Sequence, residues 1–290
     1  MASSAPAETG TFAPLPVLTI VGETYRHIGR NFWAYSGQIL IWAMILWAGQ
    51  LVTQIMTVPI FWHLGRVSAG VAELTFVTAA TIACLLPGGG ATFLACGHAV
   101  LQGKPVRFAD ALRLRRVGVF WRTLVIYWFA VHLLPTVGSR VAHVYTSVMP
   151  EAYRWSGDLW VAFIYLCWCL ALTPALVMAL PIAAFESNRT PFREAFRRSR
   201  GNRVRIALYG ALAGGPPLAL SMAVHYGWSP LATALGIENS NMQQMLLLAF
   251  FAAPIQNIFP YLTILCFSSA TFFAYLRLSP RFDDVARVFD

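Results

Sequence analysis

The chain has 290 residues, of which 58% are hydrophobic and 11% are charged, and its formal net charge is +9. A soluble fold of this length could not bury so much apolar surface, so the composition predicts an integral membrane protein. The positive charge does not indicate nucleic-acid binding, because no stacking aromatics lie among the arginines and no known binding module is present. We therefore expect no nucleic-acid partner.

The first 13 residues are small and polar. They have neither the basic region nor the apolar region of a signal peptide. We expect residues 1–13 to form a disordered tail, and we expect the first membrane span to insert the protein.

Six uncharged runs follow, and each is a candidate for a membrane-spanning helix, which needs roughly 20 apolar residues. The third run is short, so we extend that span back to about Val117. The sequence thus predicts an all-α, polytopic membrane protein with about six transmembrane helices over residues 14–276, followed by a cytoplasmic tail at 277–290. The six runs are Asn31 to Gly65, Leu74 to Gly103, Thr123 to Ser139, Leu159 to Phe185, Ile206 to Ile237 and Asn239 to Leu276.

The basic residues are distributed unevenly between the two sides of these spans. All but three of the 21 Lys and Arg lie before span one, between spans two and three or in the first turns of span three (Arg122), between spans four and five, or after span six; the exceptions are Arg66, Arg140 and Arg154. Basic residues near span ends stay on the cytoplasmic side, which requires an even number of spans. We predict a multi-pass protein of a bacterial plasma (inner) membrane with both termini in the cytoplasm.

Three segments that precede spans one, three and five align without gaps: Val21 to Ile28, Phe108 to Arg115 and Phe192 to Ser199. Each has apolar residues at its first and fifth positions, an acid at the third and an arginine at the sixth. At 100° per residue the apolar positions form one stripe, as in an interfacial helix. The copies start 87 and 84 residues apart. They predict three units of a surface helix plus a transmembrane hairpin, at 14–103, 104–189 and 190–276; the alternative is a chance match between basic helices.

The segment from Phe192 to Arg205, with its Arg-Gly step, resembles the basic segment of the glycerophosphoryl diester phosphodiesterase membrane domain. The ending from Phe272 to Leu278 is similar to the last span of that family. The resemblance implies a six-span membrane module. It does not imply the hydrolase, because no stretch between the predicted spans has room for a catalytic domain and the His-Arg-Gly and Glu-x-Asn motifs are missing.

The densest basic cluster is the candidate binding site. It has only Glu194 to neutralise it, so we predict that it binds anionic lipid headgroups; the alternative is an orientation signal with solvated side chains. The cluster consists of Arg193, Arg197, Arg198, Arg200, Arg203 and Arg205.

Weaker candidates lie within the predicted spans. Amide and histidine side chains inside the membrane ordinarily form hydrogen bonds between helices, and the alternative is that they line a water-filled cavity. The Gly and Pro clusters at Pro87 to Gly90 and Gly214 to Pro217 either line a cavity or kink and pack helices. The candidate cavity residues are Gln54, His132, Gln256 and Asn257.

No pairing of nucleophile and base and no metal-ligand spacing is visible, so we predict no enzyme activity, no metal and no cofactor. The leading interpretation is a non-catalytic integral membrane module, a scaffold or lipid-interacting protein with a basic cytoplasmic collar. Its expected partners are anionic membrane lipids and a second membrane protein. The alternative is a small transporter or channel with a cavity between the three hairpins.

Overall fold

The computed structural model describes residues 14–52, 55, 86–103, 117–133, 173–186, 190–234 and 242–279. Over these ranges the protein is all-helical, without strands. The predicted tail at 1–13 and the second surface segment, Asp110 to Arg116, lie outside them. In chain order the helices are α1 Val17–Arg30, α2 Phe32–Val52, α3 Leu86–Gln102, α4 Val117–Trp128 with a π-helical turn at Phe129–Leu133, α5 Thr173–Val177, α6 Ala179–Phe185, α7 Pro191–Ser199, α8 Arg203–Ala234 and α9 Met242–Leu278.

Three of the described helices are long and apolar enough to cross a membrane: α2 over Phe32–Val52, α8 over Arg203–Val224 and α9 over Pro254–Leu278. The outer faces of α2 and α8 are covered by apolar side chains, which lipid tails accept and water does not. The remaining predicted spans lie partly outside the described residues. The exposed apolar side chains on these two faces include Leu40, Ile41, Met44, Leu208, Leu212 and Leu218.

Helices α1 and α2 run together, antiparallel to α9. The break between them at Asn31 is slight, because the amide of Asn31 still bonds the carbonyl of His27 and the amide of Tyr35 bonds the carbonyl of Asn31. Residues further along α1 and α2 contact residues that lie earlier in α9, as expected for antiparallel helices. These contacts are Glu23 with Arg277 at 2.7 Å, the rings of His27 and Phe273 at 5.9 Å, and Gln50 with Asn257 at 2.9 Å.

The position of α1 differs from the predicted surface helix at Glu23 to Arg30. Its buried face consists of Ile20, Thr24 and Ile28, one position away from the predicted apolar stripe, because Val21 is half-buried and Tyr25 is exposed. Helix α1 packs against α8 and α9. Because α1 extends α2 along these helices, it does not lie across their ends as an interfacial helix would. An amphipathic sequence predicts only that one face of a helix is buried. In α1 the buried face contacts α8 and α9 and not lipid.

Helix α3 reaches the centre of the bundle because its glycines leave room for large rings. A Cβ at Gly88 would lie 2.7 Å from the Trp42 ring, and a Cβ at Gly97 would overlap the Phe272 ring. The predicted Pro87 to Gly90 cluster therefore serves close helix packing.

Helix α8 passes through its Gly214 to Pro217 cluster without ending. Pro216 and Pro217 have no N–H, so the carbonyls of Leu212 and Ala213, four residues earlier, lose their helical donors. The hydroxyl of Tyr25 in α1 donates to both, at 3.3 Å and 2.9 Å. A single side chain from α1 thus supplies the hydrogen-bond donor that the two prolines of α8 lack.

The α1–α2 junction and the α7–α8 junction share two backbone hydrogen bonds at positions 171 residues apart, although the helix is nearly continuous through Asn31 whereas Gly201 has a φ of +81°. The buried positions Ile20, Thr24 and Ile28 of α1 correspond to Pro191, Ala195 and Ser199 of α7, which are also buried. Each junction contains an asparagine, Asn31 or Asn202. In both junctions the backbone N–H of the asparagine donates to the backbone carbonyl three residues earlier. The backbone carbonyl of the asparagine accepts from the backbone N–H four residues later.

Candidate functional site

Helix α7 places part of the arginine cluster on one outer face. It begins at Pro191, whose missing N–H is harmless at the first helical position. Ala195 and Ser199 face inward, whereas Arg193, Arg197 and Arg200 are exposed. The chain then turns at Gly201, whose φ of +81° falls in the left-handed region that glycine adopts most readily.

Arg198 is the one member of the predicted cluster that faces inward. Its residue exposure is only 5%. Its two terminal nitrogens donate to the two carboxylate oxygens of Glu186 at 2.5 Å and 2.8 Å, and its Nε donates to Glu194 at 2.7 Å. The hydroxyl of Tyr275 in α9 also donates to Glu186, at 2.8 Å. Arg198 therefore joins α7 to the end of α6 and, through Glu186, to α9, and its place in the predicted headgroup site is corrected to a structural one.

Glu194 is shared between Arg198 and its neighbour. Arg197 donates to both oxygens of Glu194, from Nε at 2.9 Å and from a terminal nitrogen at 2.5 Å. The hydrogen bond from Arg197 is the largest cause that lowers the pKa of Glu194, outweighing the opposing effect of burial. Burial alone would lower the pKa of Arg198, but its bonds to Glu186 and Glu194 raise it. Glu194, Arg197 and Arg198 are therefore all charged near neutral pH.

The first turn of α8 continues the exposed basic face. The guanidinium of Arg203 lies 5.6 Å from the centre of the Phe196 ring, so Arg203 is held beside α7 by a cation–π contact. Arg205 is exposed on the same turn. We use the term arginine surface for the five exposed members of the cluster, which are Arg193, Arg197, Arg200, Arg203 and Arg205.

Comparison with protein families, with curated proteins and with solved structures found no match to this chain.

Of the four predicted cavity residues, Gln256 and Asn257 have described side chains. Asn257 is buried and donates to Gln50 at 2.9 Å, which is a direct bond between α9 and α2. Gln256 is half-buried. Gln54 and the side chain of His132 lie outside the described residues. Within the ranges given above, no group of three metal-ligating side chains occurs.

Sequence reasoning missed two residues of the site, Glu186 and Tyr275. Glu186 is the first charged residue after the uncharged run that ends at Phe185, twelve positions before Arg198. A carboxylate at the boundary of a span, next to an arginine-rich segment, was the available signal. Tyr275 gave no such signal, because its partner is 89 positions away in the sequence.

Proposed function

We propose that this protein is an integral membrane module that binds anionic lipid headgroups through the arginine surface. The observation that carries the proposal is that five exposed guanidinium groups lie where an apolar, outward-facing helix begins. Each basic residue near an anionic leaflet contributes about 1 kcal/mol to binding. Arg197 has Glu194 as its partner and Arg198 has Glu186, so the remaining exposed arginines leave the surface with excess positive charge.

The proposed architecture has six spans in three repeated units within a bacterial plasma membrane, with the arginine surface and both termini in the cytoplasm. The backbone hydrogen bonds shared by Asn31 and Asn202 support a repeat, since each asparagine follows a short amphipathic helix and precedes a long apolar one. The distribution of Lys and Arg supports the orientation. The resemblance to the membrane domain of glycerophosphoryl diester phosphodiesterases agrees with a module that has no hydrolase, and a second membrane protein is a further proposed partner.

The bond between Asn257 and Gln50 favours this module over a transporter. A transport cavity between the hairpins would present these amides to water or substrate. Here they bond one helix to another, which is the ordinary role of amides in membrane bundles.

Lipid retention tests the proposal. We expect the triple variant Arg193→Gln, Arg200→Gln, Arg203→Gln to retain phosphatidylglycerol at least roughly tenfold more weakly than the unmodified protein, because three guanidinium contacts are removed. Retention is measured by native mass spectrometry of protein exchanged from mixed phosphatidylglycerol and phosphatidylcholine nanodiscs.

The matched control removes the same charge from three exposed arginines elsewhere, by Arg26→Gln, Arg30→Gln and Arg122→Gln. We expect it to change retention much less. Equal loss in both variants would mean that net charge alone attracts the lipid. Full retention in the first variant would mean that the arginine surface is only an orientation signal, and the lipid function would be abandoned.

A further inference from the structure

An acid lies within the arginine surface and engages one of its members. Glu194 is largely buried, with 14% of its side chain exposed, whereas the Arg197 side chain that it binds is 61% exposed. The same Glu194 oxygen that accepts from Arg197 also accepts from Arg198. Arg197 is therefore the outer member of the network, and Arg198 is the inner one.

The inner part of the network stays satisfied when Arg197 leaves. Glu194 keeps its bond from Arg198 at 2.7 Å, and Arg198 keeps both bonds to Glu186. Glu194 therefore keeps a hydrogen-bond partner when Arg197 turns outward, and Glu186 and Glu194 then share the single positive charge of Arg198. A phosphate offers Arg197 the same bidentate geometry that the carboxylate of Glu194 provides, so the two anions are interchangeable partners for one guanidinium.

We propose that Arg197 exchanges Glu194 for the phosphate of an anionic lipid, and that Glu194, by competing with this phosphate, sets the affinity of the arginine surface. This inference rests on the proposed lipid function and names the residue that regulates it. Glu194 then acts as an internal competitor, and Arg198 and Glu186 hold α7 in place during the exchange.

The surroundings of the arginine surface favour a lipid over a soluble phosphate. Between Arg203 and Arg205, and further along α8, the outer face presents Val204, Leu208 and Leu212, which are 72%, 48% and 40% exposed. These residues follow one another at intervals of four, on one side of the helix. A headgroup held at the arginines can therefore lay an acyl chain along this apolar stripe, which inorganic phosphate cannot use.

The test is the variant Glu194→Gln. A glutamine can still accept the bond from Arg198 through its amide oxygen, but it carries no charge to compete for Arg197. We expect phosphatidylglycerol retention to rise about fivefold, the equivalent of one charge contact at a membrane surface. In the Arg197→Gln background, we expect Glu194→Gln to produce no further rise, because the exchanging guanidinium is absent.

Two controls make the result specific. Glu23→Gln removes the same charge from an acid that pairs with Arg277 instead, and it should leave retention unchanged. Thermal unfolding in detergent shows whether Glu194→Gln keeps the fold. If that variant unfolds early, Glu194→Asp serves as the second variant: its shorter side chain reaches Arg197 less well, so retention should again rise.

Several outcomes would overturn the inference. Unchanged or weaker retention in a folded Glu194→Gln protein would show that Glu194 does not compete, while the lipid function would stand if the unmodified protein still retained phosphatidylglycerol. No retention by the unmodified protein would instead remove the proposed function itself. Displacement of phosphatidylglycerol by an equal concentration of inorganic phosphate would show that the apolar stripe contributes nothing, and the lipid part of the inference would fail.

Discussion

Arg197 and Arg198 are neighbours in the sequence and have opposite environments. Successive residues of a helix point about 100° apart, so on α7 one guanidinium faces outward and the next faces the bundle. Burying a guanidinium is unfavourable unless its donors and charge are matched. Arg198 meets this requirement with two carboxylates, and one of these also accepts from Tyr275. The buried arginine therefore belongs to the fold, and the exposed one is available for exchange.

Replacing Arg198 by Gln should destabilise the protein by about 3 kcal/mol, because Glu186, with only 17% of its side chain exposed, would lose its bidentate partner. The matched change is Arg193→Gln on the exposed face of the same helix, which should stay within about 0.5 kcal/mol of the unmodified protein. Thermal unfolding in one detergent measures both. Equal midpoints for the two variants would contradict the structural role of Arg198.

The sequence shows the arginine cluster but not its division into outer and inner members. Spacing alone cannot tell which arginine faces inward, because the two acceptors of Arg198 and the tyrosine that donates to one of them lie at different distances along the chain. Glu194 is four positions from Arg198, Glu186 is twelve positions away, and Tyr275 reaches the site only through the packing of α9. The lipid contacts of the five exposed arginines stay a prediction.

At the scale of helices, α8 depends on α1 for its continuity. The Gly214 to Pro217 cluster predicts a kink or a cavity, because two consecutive prolines leave two carbonyls without donors. In the structure the helix continues, and Tyr25 satisfies those carbonyls. The prolines alone predict that two backbone carbonyls lack their helical donors. The identity of their partner was not predictable, because Tyr25 is 187 positions from the first of them.

A double-mutant cycle tests this dependence. Tyr25→Phe should destabilise the protein by about 1 kcal/mol, because the two carbonyls lose their shared donor. In the Pro216→Ala, Pro217→Ala background the backbone N–H groups return, so the same Tyr25→Phe change should have a much smaller effect. Chemical or thermal unfolding of the four proteins gives the coupling. Additive effects would show that Tyr25 contributes only packing.

At the scale of the whole molecule, the spanning helices follow the uncharged runs, because hydrocarbon excludes charge over a fixed length. The described helices α2, α8 and α9 overlap the predicted runs that begin at Asn31, Ile206 and Asn239. The direction of α1 was not predictable, since its stripe does not say whether lipid or protein covers it. Six spans and three units stay predictions.

The topology can be read by labelling single cysteines in a cysteine-free background. A cysteine in place of the exposed Arg200 should resist an impermeant thiol reagent added to intact cells, because the arginine surface is predicted to face the cytoplasm. A cysteine in place of Ser147, in the predicted loop after span three, should react. The reverse pattern would invert the orientation and place the arginine surface away from the cytoplasmic leaflet.

The bonds between α1 and the last helices also impose an order on biosynthesis. Leu15 bonds Asn202 and Tyr25 bonds Leu212, both 187 positions later, and Glu23 pairs with Arg277, 254 positions later. At roughly 5–20 residues per second, a ribosome needs about 10–40 s to supply the first two of these partners. During that interval Leu15 and α1 have been synthesised, but Asn202, which Leu15 binds, and the α8 carbonyls, which Tyr25 binds, do not yet exist. The docking of α1 against α8 and α9 is therefore a late step of folding, which follows the synthesis of the last helix.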